Sequence, residues 1–288
     1  MSLIDKIDNY LINDIYDNDF FMVYPFTNEN INGYLPYFDL MNKSLLTVGS
    51  SGDQAINAIV SGCDDITVCD ICPLTKSYYY LKMAALLCLS RDDFLSFLCK
   101  TKYDNHSNPH LLTLNTFRKI RSTLKSIDYD SYYIWEYLYK NYDRYYIDEL
   151  FRCDIADLDN IIGFNKYFNS DSNYLQARKM LQNVLVNFIC DDIAIFNINR
   201  KFDNIWFSNV AQYLDRDKVI AMGNNGIRML NDNGSILLCY YRNGYQTVYG
   251  HQIEGISYIS SDMVVIPSVI KGDTNSSILI HKKSYKKE

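Results

Sequence analysis

Apolar positions along this chain change their period several times, and each change marks a new element. The residues before about 40 are polar and aromatic, with a cluster Tyr24-Pro25-Phe26-Thr27-Asn28-Glu29-Asn30 ahead of an amphipathic stretch to Asp39. They predict an N-terminal cap over 1–40. Ser44-Leu45-Leu46-Thr47-Val48 is then a short β-rich run that stops at Gly49-Ser50-Ser51-Gly52. Asp53-Gln54 opens a helix whose apolar side carries Ala55, Ile56, Ala58, Ile59 and Val60. Gly62 stands where a helix ends, and Ile66-Thr67-Val68-Cys69 forms a second buried strand closing at Asp70. Residues 75–89 read as another helix. This alternation of strands and helices predicts a parallel sheet with right-handed crossovers.

A helical stretch over 90–182 interrupts the rhythm. Ser90 and Asp93 make a capping-box-like start, and Asn108-Pro109 starts a second helix in which Leu111, Leu114, Phe117, Ile120 and Leu124 recur at helical spacing. Further helical pieces follow over 132–146 and 173–181. Strand character returns at 184–190, 202–207 and 235–241, each run ending in small or polar residues. Runs at 263–266 and 277–280, joined by a Gly-Asp-Thr-Asn segment, predict a β-hairpin.

Composition narrows the functional classes. The 288 residues are 48% apolar and 22% charged, which excludes collagen-like and disordered chains. The charge balance, 28 basic against 34 acidic residues, gives −6 and argues against a general nucleic-acid binder, so none is expected as a partner. The longest apolar run, Met83 to Leu89, falls far short of the ~18–20 residues of a membrane span. The N-terminus has neither a basic n-region nor an apolar h-region, so the expectation is a soluble cytoplasmic protein. Most of the eight cysteines lie in apolar segments, as buried reduced thiols do. Cys69 and Cys72 form a CxxC without a second one, and the four histidines complete no zinc-finger spacing, so no metal is expected.

The chemistry concentrates at the first turn and the acid after the second strand. A glycine-rich turn between a parallel strand and a helix lets backbone approach a ligand, and an acid ending the next strand can accept bonds from both hydroxyls of a ribose. Strand ends converging at one sheet edge bring Gly49, Asp70, Asp191 and Ser208 toward one place. GSSGDQ lacks the G-x-G-x-x-G of a dinucleotide site and the GK[ST] of a P-loop. A nucleoside without phosphate fits better, because Asp53 at the helix entrance would repel a diphosphate and suit a sulfonium or amino group. S-adenosylmethionine carries both. The plainer reading makes Gly49–Gly52 a tight turn and Asp70 a solvated strand end.

The segment SLLTVGSSGDQAINAIVSGCDDITVCDICPLTK, with YPFTNENINGYLPYFDL before it and LKMAALLCLSRDDFLSFL after it, resembles the class I S-adenosylmethionine-dependent methyltransferase superfamily. Within it, the chain is similar to a branch near the aminocarboxypropyl transferases of betaine-lipid synthesis. The resemblance is closest over 20–100 and extends by topology over 184–282. It implies a Rossmann-like α/β fold: a mostly parallel seven-stranded sheet with an antiparallel C-terminal hairpin, the N-terminal cap, and the helical insertion 90–182 within a domain over 41–288. It implies S-adenosylmethionine as cofactor, with Gly49, Ser50, Ser51, Gly52 and Asp53 near the methionine part, Asp70 on the ribose hydroxyls and Ile71 beside it. Asp191 or Asp192 would approach the adenine amino group, and Ser208 and Asn209 would border the transferable group. Cys72 stands where relatives often carry asparagine, which weakens a side-chain role there.

Asn209 and Tyr213, in SNVAQYL, lie where amino-directed methyltransferases use a polar-proline-proline-aromatic turn, and this sequence has no prolines there. They are candidate substrate contacts, with Tyr24, and a strand-end cap is the plain alternative for Asn209. Alignment can supply much of the rate of sulfonium transfer, so no fixed catalytic group is specified. The implied product is a methylated small molecule or lipid headgroup, with aminocarboxypropyl transfer and a non-catalytic nucleoside-binding protein as alternatives. His106 and His110 straddle Pro109 and predict a loop rather than a metal face. Arg118, Lys119, Arg121 and Lys125 occupy the polar side of an amphipathic helix, as a solvated face or a phosphate or RNA contact would. Lys282, Lys283, Lys286 and Lys287 read as a solubilising tail, and most of the 26 tyrosines and 14 phenylalanines as core.

Overall fold

The structure is a computed structural model that describes residues 2–12, 21–98, 112–151, 158–240, 261–267 and 276–282. The helix start at Asn108-Pro109, His106, His110, the hairpin turn 272–275 and Lys283, Lys286 and Lys287 lie outside the described residues. Strands β1 (Ser44–Val48), β2 (Asp65–Asp70), β3 (Val186–Cys190), β4 (Phe202–Trp206), β5 (Leu230–Tyr240), β6 (Ser261–Pro267) and β7 (Ser276–Lys282) form one sheet in the order β3-β2-β1-β4-β5-β7-β6. Pairing is parallel from β3 through β5, and β7 runs antiparallel to both β5 and β6. The parallel strands are those the alternation predicts, and the mostly parallel Rossmann-like arrangement is the one the resemblance implies.

The helices are α1 (Leu3–Ile12), α2 (Ile31–Tyr34), α3 (Asp53–Ile59), α4 (Thr75–Cys88), α5 (Arg91–Leu98), α6 (Leu114–Ile127), α7 (Tyr129–Asn141), α8 (Arg144–Asp148), α9 (Leu158–Phe164), α10 (Asp171–Leu181) and α11 (Arg216–Arg228). Their starts follow local chemistry. Asp93 N–H donates to Ser90 Oγ at 3.1 Å, and side chains of Thr113, Asp128 and Ser170 cap α6, α7 and α10.

The chain divides into two compact units. A helical unit holds Met1–Asn28, Gly49–Ile56 and Ile71–Gln182; a sheet unit holds Glu29–Val48, Asn57–Asp70 and Asn183–Glu288. The division departs from the expected boundaries, because residues 1–40 are shared between the units. Phe26 packs edge-on against Phe94 and Phe168 in the helical unit, with centroids 6.0 and 5.4 Å away. Tyr34 and Phe38, a few residues on, meet Trp206 of β4 at 5.4 and 5.2 Å in the sheet unit.

On the sheet unit, Leu46, Phe202, Ile205, Ile236 and Leu238 form one core with Val219 and Met222 of α11. Helix α11 has no counterpart in the sequence reading, because Asn224-Asn225-Gly226 resembles a turn. Tertiary packing keeps it helical: a Cβ on Gly226 would stand 2.8 Å from Phe207 and 3.0 Å from Ile236, so only glycine lets the helix lie this close. Strand β5 begins at Leu230, earlier than the expected 235. Its register against β4 shifts between Phe202 and Asn204, so residues 231–234 stand against Asp203 alone, and Asn233 takes a left-handed φ of 64°.

Asp203 ties β4 to its neighbours. Its Oδ2 accepts from Ser44 N and Oγ at 2.9 and 2.8 Å, and its Oδ1 accepts from Asn231 at 2.9 Å. Burial alone would raise its pKa, but these bonds outweigh it and hold the carboxyl below its ordinary 3.8. The stability it contributes is therefore fully present above that value and is lost as pH falls through the lower folded pKa. We expect Asp203→Asn to cost about 1–2 kcal/mol near neutral pH in urea unfolding, with the gap to wild type closing as pH falls below 3.8. A gap that persists unchanged in acid would show that the carboxylate charge is not what holds the strands.

Candidate functional site

Parallel strands present their carboxyl ends at one edge, and the register sets which residues meet there. Val48 pairs with Cys69 and Asp70 with Cys190, so Asp70 is the last residue of β2 in the strand beside β1. Asp70 is 9% exposed. Asp191 follows β3 and donates its N–H to the Asp70 carbonyl at 3.1 Å, while the Cys69 thiol donates to the Asp191 carbonyl at 3.4 Å. The two acids expected from the sequence therefore stand side by side. Asp191 is exposed and its Oδ1 accepts from Asp192 N–H at 2.8 Å. Asp192 turns its own carboxylate to Ala194 N–H at 2.9 Å and so caps the turn after β3. Of the two, Asp191 is the more exposed.

At the end of β4, Ser208 adopts a left-handed φ of 56° and is 2% exposed. Its hydroxyl donates to Glu29 Oε1, which also accepts from Asn209 N–H at 3.0 Å. The Ser208 side chain, expected to border the transferable group, is therefore held inward by a buried acid. Glu29 escaped the sequence reading because nothing in Asn28-Glu29-Asn30 marks it as buried. Asn209 is half-buried and leads into the 3-10 turn Val210–Tyr213, where Tyr213 is 64% exposed.

The glycine turn belongs to the helical unit, with Tyr24, which is half-buried, and Ile71, which is 41% exposed. Gly52 N–H closes the turn onto the Gly49 carbonyl at 2.7 Å, and the Gly52 carbonyl starts α3 by accepting from Ile56 N–H at 3.1 Å. Ser50 and Gly52 have φ of 41° and 78°, and a Cβ on Gly52 would stand 3.1 Å from the Tyr79 ring. Glycine at 52 is thus required both by backbone angle and by space.

Asp53 departs from its expected role. Instead of an open charge at the helix entrance, its carboxylate is wholly buried and paired with Lys82, which is equally buried. Tyr167 OH donates to Oδ1 at 2.7 Å, and Thr27 N–H and Ser51 Oγ donate to Oδ2 at 2.6 and 3.0 Å. Lys82 spends its other protons on the Pro25 and Ser51 carbonyls at 2.8 and 3.1 Å, and its Nζ lies 4.3 Å from the Phe26 ring centroid. Burial pulls the Lys82 pKa down, against the opposing pull of Asp53. Burial pushes the Tyr167 hydroxyl well above its ordinary value, and the Asp53 charge adds to this. Asp53 and Ser51 therefore shape the turn from behind. One signal for Lys82 was present in the sequence: a lone cation inside the apolar run of α4.

Among the described residues Cys63, Cys69, Cys72, Cys88, Cys190 and Cys239 are free thiols, and no group of three or more metal-ligating side chains converges. Burial pushes the Cys63 thiol up to about 12, leaving it a donor to the Lys43 carbonyl at 2.9 Å. No described helix is long and apolar enough to cross a membrane.

Comparison with known proteins returns no matching family model and no matching curated protein. Solved structures do resemble the chain. An S-adenosylmethionine-dependent methyltransferase from Clostridium acetobutylicum is 9% identical, with 98% of each chain covered and a TM-score of 0.45. A TehB-like S-adenosylmethionine-dependent methyltransferase from Corynebacterium glutamicum is 11% identical over 97% of this chain and 100% of that one, with a TM-score of 0.42. The N-methyltransferase NodS from Bradyrhizobium japonicum, in complex with S-adenosyl-L-homocysteine, is 12% identical over 97% and 98%, also at 0.42. At these identities the likeness concerns the fold alone.

The buried pair behind the turn makes a direct prediction. Removing one partner strands the other charge, so Lys82→Met and Asp53→Asn should each cost about 3–5 kcal/mol in urea unfolding. The double variant D53N/K82M should lose clearly less than the sum. Strictly additive losses would mean that the two side chains do not act as a pair.

Proposed function

We propose that this chain is an S-adenosylmethionine-dependent transferase, a methyltransferase acting on a small molecule or lipid headgroup. The observation that carries the reading is the pair Asp70 and Asp191, hydrogen-bonded through their backbones at the carboxyl edge of a parallel sheet, beside the strand that leads into the glycine turn. Carboxylates accept hydrogen bonds from hydroxyl and amino groups, so this pair of acceptors fits a ribose and an adenine and offers nothing to bind a phosphate. An edge bearing Glu29, Asp70, Asp191 and Asp192 also suits a sulfonium cation.

In this reading Asp70 accepts the ribose hydroxyls and Asp191 the adenine amino group, while Gly49–Gly52 gives backbone to the methionine part. Ile71 lies along the nucleoside. Asn209, Tyr213 and Tyr24 contact the acceptor, and Glu29 is a positioning residue that fixes Ser208 and Asn209. When bound, the cofactor supplies a carbon already activated by its positive sulfur. The chain's own residues then need only orient the acceptor and keep the sulfonium aligned.

The branch resemblance read from the sequence motivates a second reading, in which the same cofactor is attacked at a different carbon. The products separate the two. Methyl transfer leaves S-adenosylhomocysteine, and aminocarboxypropyl transfer leaves 5′-methylthioadenosine.

The test is thermal unfolding with S-adenosylmethionine, S-adenosylhomocysteine and NAD on wild type and Asp70→Ala, followed by product analysis. A site filled at ~100 times its Kd gains about 2.7 kcal/mol, a rise of roughly 5–10 °C. We expect that rise with the two sulfur ligands, none with NAD, and its loss in Asp70→Ala. Absence of any rise with wild type would overturn the transferase reading in favour of a non-catalytic protein.

A further inference from the structure

The helical unit carries a second feature that stands apart from the transferase reading. Helix α6 bears Arg118, Lys119, Arg121 and Lys125 and no acid, in a chain whose net charge is −6. Its apolar stripe, Phe117, Ile120 and Leu124, is at most 1% exposed, so the four cations occupy the outer side. Arg118, Arg121 and Lys125 recur at spacings that align them along the helix over roughly 10 Å. Three of the neighbouring acids are engaged: Asp128 and Asp130 pair with Lys76, and Glu136, which lines the cavity described below, pairs with Lys140.

Aromatic rings stand beside this stripe. Tyr129 and Tyr133 of α7 are 59% and 56% exposed, and Lys125 Nζ lies 5.9 and 5.4 Å from the ring centroids of Tyr129 and Tyr132. A cavity of about 370 Å³ opens among these tyrosines, Lys125 and Lys140. A second, of about 480 Å³, is walled by Tyr139, Tyr142 and Tyr146 and shares Lys140 and Asn141 with the first. Tyr137 and Tyr142 donate their hydroxyls to Asp8 at 2.7 and 2.5 Å, which fixes both rings.

We propose that this α6–α7 face binds single-stranded nucleic acid, a partner that the overall charge argued against. The cations of α6 meet phosphates, and the tyrosine rings give platforms on which unpaired bases stack. Concavity and chemistry favour this occupant over an anionic bilayer. A flat membrane leaves both cavities unfilled, and α6 has no outward apolar face to insert. A duplex keeps its bases stacked on one another and gains the charge contacts alone.

The test is fluorescence anisotropy of a labelled oligouridylate of about 12 nucleotides with the full chain, at salt concentrations from about 50 to 200 mM. We expect saturable binding whose log–log salt slope is near −2, as ~0.7 per phosphate contact gives for three cations. The double variant R118E/R121E should weaken binding at least roughly tenfold, and Y133A roughly fivefold or more, with melting temperatures unchanged. All three positions are exposed, and the wild-type salt titration needs no variant. No saturable binding at low salt would overturn the proposal. So would equal affinity for a duplex of the same length, or binding to phosphatidylserine vesicles without binding to the oligonucleotide.

Discussion

The helical unit depends on one buried ion pair. Lys82 and Asp53 have no access to water, and an isolated charge in either place would be costly. The pair persists because every proton of the ammonium and both carboxylate oxygens have partners supplied by segments distant in sequence: Pro25, Thr27, Ser51 and Tyr167. Those partners are what the pair organises. It joins the N-terminal segment, the glycine turn, the start of α3, the middle of α4 and the segment before α10 at one point. A hydrophobic core would bring the same elements together without fixing their register; directional bonds to two backbone carbonyls do both.

The sheet unit uses a different device. Its strand ends are fixed by side chains bonding to backbone: Asp203 to Ser44 at the amino end of β1, Glu29 to Asn209 beyond β4, and Asp192 to Ala194 beyond β3. The first joins two strands, the second ties the N-terminal segment to the loop after β4, and the third fixes the loop after β3 on itself. Asp70 and Asp191, at the carboxyl edge, hold their relative place through a backbone bond instead, from the Asp191 N–H to the Asp70 carbonyl.

Charge is unevenly spread over the chain. A net −6 describes the whole, yet α6 carries four cations and no acid. Whole-chain charge predicts solubility and non-specific association, and it says little about one helix face.

Local pattern alone determined the strand and helix alternation, the glycine turn and the position of Asp70. These depend on short-range rules: β-rich apolar runs, a glycine needed at positive φ, and an acid closing a strand. The same rules located the caps at Ser90 and the end of α3 at Gly62, whose φ is 100°. Only tertiary structure decided the rest. Whether Asp53 faces a ligand or a lysine depends on Lys82, 29 residues away in sequence. Glu29 reaches Ser208 across 179 residues, and Gly226 lets α11 pack against Phe207 and Ile236, which leave no room for a side chain. A sequence states which groups can bond; the fold settles which of them meet, because burial and distance exist only once the chain has closed on itself.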